Sequence, residues 1–274
     1  MNQVKLSGVA NTRVSDEYNQ HLDKPKLEVC NLSKSYGTKN KQLTILQNVN
    51  LQIYKGEFVC IVGASGCGKS TLLNMIAGLV APTSGEIKVD DEVVLGPGSD
   101  RGMVFQSYTL YPWLTVANNI SFGSKLRRLS SAQRQERVAY FLGVVGLTKY
   151  AKAYPNQLSG GMKQRCAIAR ALANEPEVLL MDEPFGALDC QTKEQMQLFL
   201  REMWQKTGTT ICTITHDVEE AVFLSQRVYV MSAHPGKIKT EIAIALPSDR
   251  DVDIKLTPKF TDIKRQIIYS LRDC

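Results

Sequence analysis

Residues Glu57–Leu79 read EFVCIVGASGCGKSTLLNMIAGL, and the way this stretch divides decides the fold. FVCIV is an unbroken apolar run, the pattern of a strand buried on both faces. STLLNMIAGL places Leu72, Leu73, Ile76 and Leu79 at helical spacing. Between them, GASGCGKS (Gly63–Ser70) matches GxxxxGK[ST] in the strand–loop–helix context which that pattern requires. Gly63, Gly66 and Gly68, with Ala64, Ser65 and Cys67 between them, let the backbone turn its amides onto a phosphate. The helix N-terminus adds partial positive charge and Lys69 a full one. Ser70 is placed to reach a magnesium ion, and Thr71 to hydrogen-bond phosphate nearby.

Upstream, LEVCNLSKSY and LTILQNVNLQIY are short, β-branched and partly alternating, and Gly56 ends that run. Residues 1–25 are polar and end at Pro25, so they are predicted to be a flexible lead-in, without the apolar centre of a signal peptide. Beyond Gly123 the pattern turns helical. Ser130 and Gln133 are spaced for a capping box, and Val138, Phe141, Leu142 and Val145 form one stripe before Gly146. Strand and helix then alternate again: VLLMDE, a helix from about Gln191 to Lys206 with Met196, Leu200 and Met203 on one face, TTICTITH and RVYVM. The pattern predicts a parallel α/β sheet covered on both faces, with a helical insertion over about 107–160. In the tail, VDIKL reads as an edge strand, and Phe260, Ile263, Ile267 and Leu271 mark a docked amphipathic helix.

Composition narrows the function. The 274 residues are 43% hydrophobic and 22% charged, and no apolar run approaches the roughly 20 residues needed to span a membrane. The net charge of +6 suits phosphate or an anionic surface, and without a basic tract it does not point to nucleic acid. The seven cysteines show no CxxC pair and read as reduced, mostly buried thiols.

Two further motifs carry chemistry. VLLMDEP (Val178–Pro184) delivers Asp182 and Glu183 to the C-terminal end of a strand, where open parallel sheets bind ligands. Asp182 is suited to magnesium and Glu183 to polarising an attacking water. LSGGMKQRCAIARAL (Leu158–Leu172) puts Ser159, Gly160 and Gly161 ahead of a helix, a second anion-binding terminus that one nucleotide does not need from the same subunit.

In this order and spacing the motifs resemble the ATP-binding cassette (ABC) ATPases, over nearly all of the chain after residue 26. The resemblance implies a P-loop NTPase fold: a parallel-sheet core, an antiparallel β subdomain and the helical insertion. The ATPase domain would cover 26–246 and a C-terminal extension 247–274. It implies that the Ser159–Gly161 segment of one subunit closes on ATP held by a second, identical or closely related, with Asp189 of the ALD loop touching that partner. Tyr36 matches the aromatic that stacks on adenine. Gln106 matches the glutamine that links magnesium and water to the insertion, and His216 the histidine at the γ-phosphate. Met162 departs from the glutamine often found at the fifth signature position.

The wording MVFQSYTLYPWLTVANNISFG, with LSGGMKQR and DEPFGALD, looks like the importers of nitrate, sulfonate, taurine and bicarbonate. That branch implies transmembrane permease subunits, a solute-binding protein joined through the complex, and a peripheral position on the cytoplasmic face of the membrane. The likeness also makes Tyr108, Tyr111, Trp113 and Leu114 the surface that receives a permease helix, with Asn118 helping to start the helix that follows. A soluble ABC ATPase of the iron–sulfur assembly type shares the signature but does not need YPWL after the glutamine. A GTPase would lack LSGGM. Cys67, inside the phosphate loop, is expected to be a reactive thiol whose alkylation blocks ATP binding.

Overall fold

A computed structural model describes residues 24–38, 41–126 and 129–272. The predicted lead-in over 1–25 and Cys274 therefore fall wholly or almost wholly outside the described residues. The elements in chain order are β1 (Leu27–Thr38), β2 (Lys41–Ile53), β3 (Phe58–Gly63), α1 (Lys69–Ile76), β4 (Ser84–Val89), β5 (Glu92–Val93) and β6 (Arg101–Val104). The helices α2 (Val116–Leu126), α3 (Ser131–Val144) and α4 (Gly160–Leu172) follow. The chain closes with β7 (Val178–Asp182), α5 (Cys190–Thr207), β8 (Thr210–Thr215), α6 (Val218–Leu224), β9 (Arg227–Met231), β10 (Ile238–Ala243) and α7 (Pro258–Arg272).

The main sheet has the order β10-β9-β3-β8-β7-β6, parallel except for β10 at its edge. A smaller antiparallel sheet runs β2-β1-β4-β5. The apolar run of β3 alternates between two cores, as the two-residue period of a strand demands. Phe58, Cys60 and Val62 face the helical side with α4 to α7, while Val59 and Ile61 face α1 and the antiparallel sheet. With all six residues of β3 buried, the strand cannot shift register without driving the phosphate loop out of place.

Most predicted stripes fall where the spacing puts them. Ser130 and Gln133 form a reciprocal capping box, and Phe141, Leu142 and Val145 are buried. Met196, Leu200 and Met203 are buried on α5, and Phe260 and Ile267 on α7.

Three expectations are corrected. Leu79 is half exposed because α1 stops at Ile76; Gly78 turns the chain at φ +76° and packs against the 96–97 backbone, where a Cβ would sit 2.1 Å from the Gly96 carbonyl oxygen. VDIKL is a 3-10 turn and not a strand: the Asp251 carboxylate accepts from the Ile254 amide at 3.1 Å, and the Thr257 hydroxyl donates to the Ile254 carbonyl at 2.7 Å. Helix α2 is started by Thr115, whose hydroxyl accepts from the Asn118 amide at 3.3 Å; Asn118 already lies inside the first turn.

Candidate active site

The parallel strands bring their carboxyl ends to one edge, and four of the predicted motifs leave from it. The phosphate loop follows β3, Gln106 follows β6, Asp182 and Glu183 close β7, and His216 follows β8. Helix α1 begins on Gly68, at φ +101°, with no side-chain cap, so its first amides remain available to an anion. Gly68 also sits against Leu46, where a Cβ would come within 2.7 Å of a methyl carbon. Ala64, Ser65 and Gly66 are exposed, and Thr71 is half-buried one residue beyond Ser70. The Lys69 ammonium is buried and folds back on its own loop, donating to the carbonyls of Gly63 at 2.8 Å and Ala64 at 3.0 Å.

Ser70 and Asp182 meet across the loop, the hydroxyl donating to Oδ1 at 3.2 Å. Burial pushes the Asp182 carboxyl up from the usual range, against the Ser70 hydrogen bond and with the help of the Glu183 charge. Among the described residues no three His, Cys, Asp or Glu side chains cluster as a metal cage. One hydroxyl and one carboxylate are instead the oxygen donors suited to magnesium, which takes its remaining ligands from water and phosphate.

Glu183 has φ +43°, a left-handed backbone that few non-glycine residues adopt. Its amide is tied to the Ile214 carbonyl at 3.0 Å, which anchors the residue to β8. The side chain meets His216 there, Oε2 lying 3.0 Å from Nδ1. Backbone strain of this kind is found where the surrounding structure holds a functional group in one place. The Gln106 amide is exposed and flanks the same spot: its Nε2 and the Glu183 Oε2 each lie 3.8 Å from where a Cβ on Gly186 would be.

The helix terminus predicted from LSGG is also formed. Ser159 caps α4, its hydroxyl accepting from the Met162 amide at 3.3 Å, so methionine at that position leaves the cap intact. Asp189 caps α5 by accepting from the Thr192 amide at 3.0 Å, and that backbone bond lowers its carboxyl from the usual value. Gly160 is wedged between the two neighbouring loops: a Cβ there would sit 3.3 Å from the Tyr108 hydroxyl and 3.2 Å from Leu188. A side chain at Gly161 would come within 2.8 Å of Thr192.

Tyr36 is half exposed at the end of β1, with the Lys34 ammonium 4.9 Å from its ring centre. The apolar stretch after Gln106 divides. Tyr111 is a supporting ring, 4.5 Å from Phe122 and 5.3 Å from the Arg170 guanidinium. Tyr108 and Leu114 are half-buried, whereas Trp113 is 70% exposed. Cys67 is 1% exposed, packed beneath Gly63, which removes the basis for its expected reactivity.

Two residues that matter here escaped sequence reading. Buried Asn119 accepts from the Tyr111 amide at 2.9 Å and donates toward the carbonyls of Tyr111, Leu114 and Thr115. Arg170 of α4 reaches the Thr109 carbonyl at 2.7 Å and hydroxyl at 2.9 Å. Asn119 fixes the stretch to the start of α2, and Arg170 ties it to α4, the helix capped by Ser159. The signal was present in ANN (Ala117–Asn119), but only the fold decides which asparagine turns inward.

Known proteins resemble the chain throughout this region. A family model described as ABC transporter matches residues 46–186. The chain is 54% identical over 252 residues to a nitrate import ATP-binding protein of Synechocystis, covering 90% of this chain and 95% of that protein. It is 44% identical to a taurine import ATP-binding protein of Pelagibacter ubique, over 87% of this chain and 92% of that one. Among solved structures, a dimeric ATP-binding cassette in a post-hydrolysis state with ADP and Pi is similar with a TM-score of 0.70 and 35% identity. That match covers 81% of this chain and all of the other.

Proposed function

This chain belongs to the ABC transporter family, and from that premise we propose how its residues divide the work of an ATP-driven importer. It is the ATPase subunit, hydrolysing ATP to ADP and phosphate in support of transport. The observation that carries the division of roles is the meeting of two pairs, Ser70 with Asp182 and Glu183 with His216, beside one phosphate loop.

The loop amides from Gly63 to Thr71 hold the phosphates, and Lys69 exchanges its two carbonyl partners for phosphate oxygen. Tyr36 stacks on adenine. Ser70, Asp182 and Gln106 would hold magnesium, which would supply positive charge to the phosphate oxygens. Glu183 orients the attacking water and accepts its proton; His216 holds that carboxylate in place and contacts the γ-phosphate. A second cassette supplies Ser159, Gly160, Gly161 and Asp189 to the opposite face of the nucleotide. The cassette spans 26–246, with the helical subdomain at about 107–160, and 247–274 form the C-terminal extension.

The exposed Trp113, with Tyr108 and Leu114 at its sides and Tyr111 behind it, is the docking surface for a transmembrane permease on the cytoplasmic face of the membrane. Among the described residues no helix is long and apolar enough to cross a membrane. A solute-binding protein joins through the permease. The cargo is a small anion of the nitrate, sulfonate, taurine or bicarbonate type, as the names of the relatives suggest. The test is uptake into vesicles that carry the chain together with its permease subunits. ATP-dependent accumulation of labelled nitrate, sulfonate, taurine or bicarbonate supports this reading; none of them moving while ATP is hydrolysed counts against it.

A further inference from the structure

Helices α5 and α6 each begin at a functional loop, α5 at Asp189 and α6 just past His216. One side chain joins the two beginnings. Lys193, in the first turn of α5, donates its amide to the Asp189 carbonyl at 2.8 Å. Its ammonium crosses to α6, reaching Asp217 Oδ2 at 2.6 Å and Glu220 Oε2 at 3.2 Å. Asp217 immediately follows His216 and caps α6 through the amides of Glu219 at 2.9 Å and Glu220 at 3.2 Å. Glu220 is 2% exposed, and its Oε1 has no hydrogen-bond partner. A cavity of about 200 Å³ lies between the helix starts, walled by Lys193, Glu220, Leu188, His216 and Glu183.

We infer that Lys193 is a positioning residue: it carries the placement of the Asp189 loop to His216, and through the 3.0 Å contact of His216 to Glu183. The inference rests on the reading of Asp189 as the loop that meets a second cassette. The geometry makes the lysine more than an ornament of the fold. Its bond to Asp217 is partly open to water, where an ion pair adds little stability. Yet it is the cation that fixes the residue next to His216, and the cavity leaves that loop room to shift when the cation is lost. Closing of a second cassette on Asp189 would thus be felt at the water-orienting pair in the same chain.

The experiment is steady-state ATP hydrolysis by the chain assembled with its membrane subunits, comparing Lys193→Met, Lys193→Arg and wild type. A misplacement of the His216 loop predicts kcat lowered roughly tenfold in Lys193→Met, with KM for ATP within about twofold and recovery to within about threefold in Lys193→Arg. Amide exchange should quicken at residues 215–220 and nowhere near the phosphate loop. Should Lys193→Met fail to fold, Asp217→Asn keeps a helix-capping side chain while removing the charge, and the same kcat loss is expected. Unchanged kcat in the folded variants, or a kcat loss that Lys193→Arg does not repair, overturns the inference. His216→Ala separates the two levels. If it is inactive while Lys193→Met is unimpaired, only the lysine link falls; if it hydrolyses ATP normally, the site assignment falls and the link with it.

Discussion

The His216 imidazole stands 3.0 Å from the Glu183 carboxylate, each at the end of a neighbouring parallel strand. Two contacts set their positions: Glu183 is pinned by its amide to Ile214, and His216 is followed directly by the Asp217 cap of α6. The pair is therefore held together by contacts within the chain itself.

Replacing Glu183 with Gln tests that arrangement. The amide keeps the size of the side chain but cannot accept a proton, so hydrolysis should fall by about 10²–10⁴ while ATP binding persists. The variant should accumulate as an ATP-bound dimer in light scattering. A monomer with excess ATP, or near-normal turnover, would show that the general base lies elsewhere.

Burial pushes the Glu220 carboxyl up to about 7, with Lys193 opposing the shift. The native state then holds a proton more tightly than the unfolded chain. Its contribution to stability is fully present below the unfolded pKa, near the ordinary glutamate value, and is lost as pH rises through about 7. Glu220→Gln, always neutral, should melt on the order of a few degrees above wild type at pH 8, with the gap closing toward pH 4.5. Melting curves of both proteins across that range check it; a gap that widens on acidification reverses the sign and refutes the assignment.

Thiol labelling discriminates between what the sequence suggested and what the fold permits. Cys67 lies beneath Gly63, whereas Cys190 is exposed at the start of α5, next to Asp189. Under native conditions a maleimide should modify Cys190 and spare Cys67, leaving ATP binding intact and lowering turnover through the partner-facing loop. Peptide mapping by mass spectrometry decides it. Rapid Cys67 labelling that abolishes ATP binding would restore the sequence-based expectation.

The sequence was most informative where function and backbone geometry coincide. GASGCGKS needs its strand and helix, and VLLMDE announces both a buried strand and the carboxylates at its end, so the parallel core and the phosphate side of the site were legible. Local patterns failed where a few hydrogen bonds outweigh periodicity. VDIKL alternates like a strand, yet caps at Asp251 and Thr257 wind it into a turn. Cys67 illustrates another limit: a motif locates a residue along the chain but does not say on which side of the loop its side chain lies. Lys193 and Arg170 were invisible for a related reason. Each acts on a residue 24 or 61 positions away, and only the packed helices bring those partners together.

Trp113 and Tyr111 are neighbours, with ring centres 5.7 Å apart, but the fold gives them different work. Tyr111 packs on Phe122 under Arg170, so Tyr111→Ala should cost about 1–3 kcal/mol of stability and loosen the loop held by Asn119. Trp113 is 70% exposed and supports little of the fold, so Trp113→Ala should leave melting and nucleotide binding unchanged. A large, rigid, exposed aromatic is the residue type that dominates binding energy at interfaces. Its loss should therefore appear in co-purification with the permease and in coupled transport. Because Arg170 ties the same loop to α4, the helix that begins at Ser159, a permease pressing on Trp113 would push on the signature segment as well. Arg170→Ala should then leave docking in place but reduce the ATPase response to the permease. Trp113→Ala assembling and transporting normally would remove this surface from the interface, and an undiminished response in Arg170→Ala would remove the tether from the coupling path.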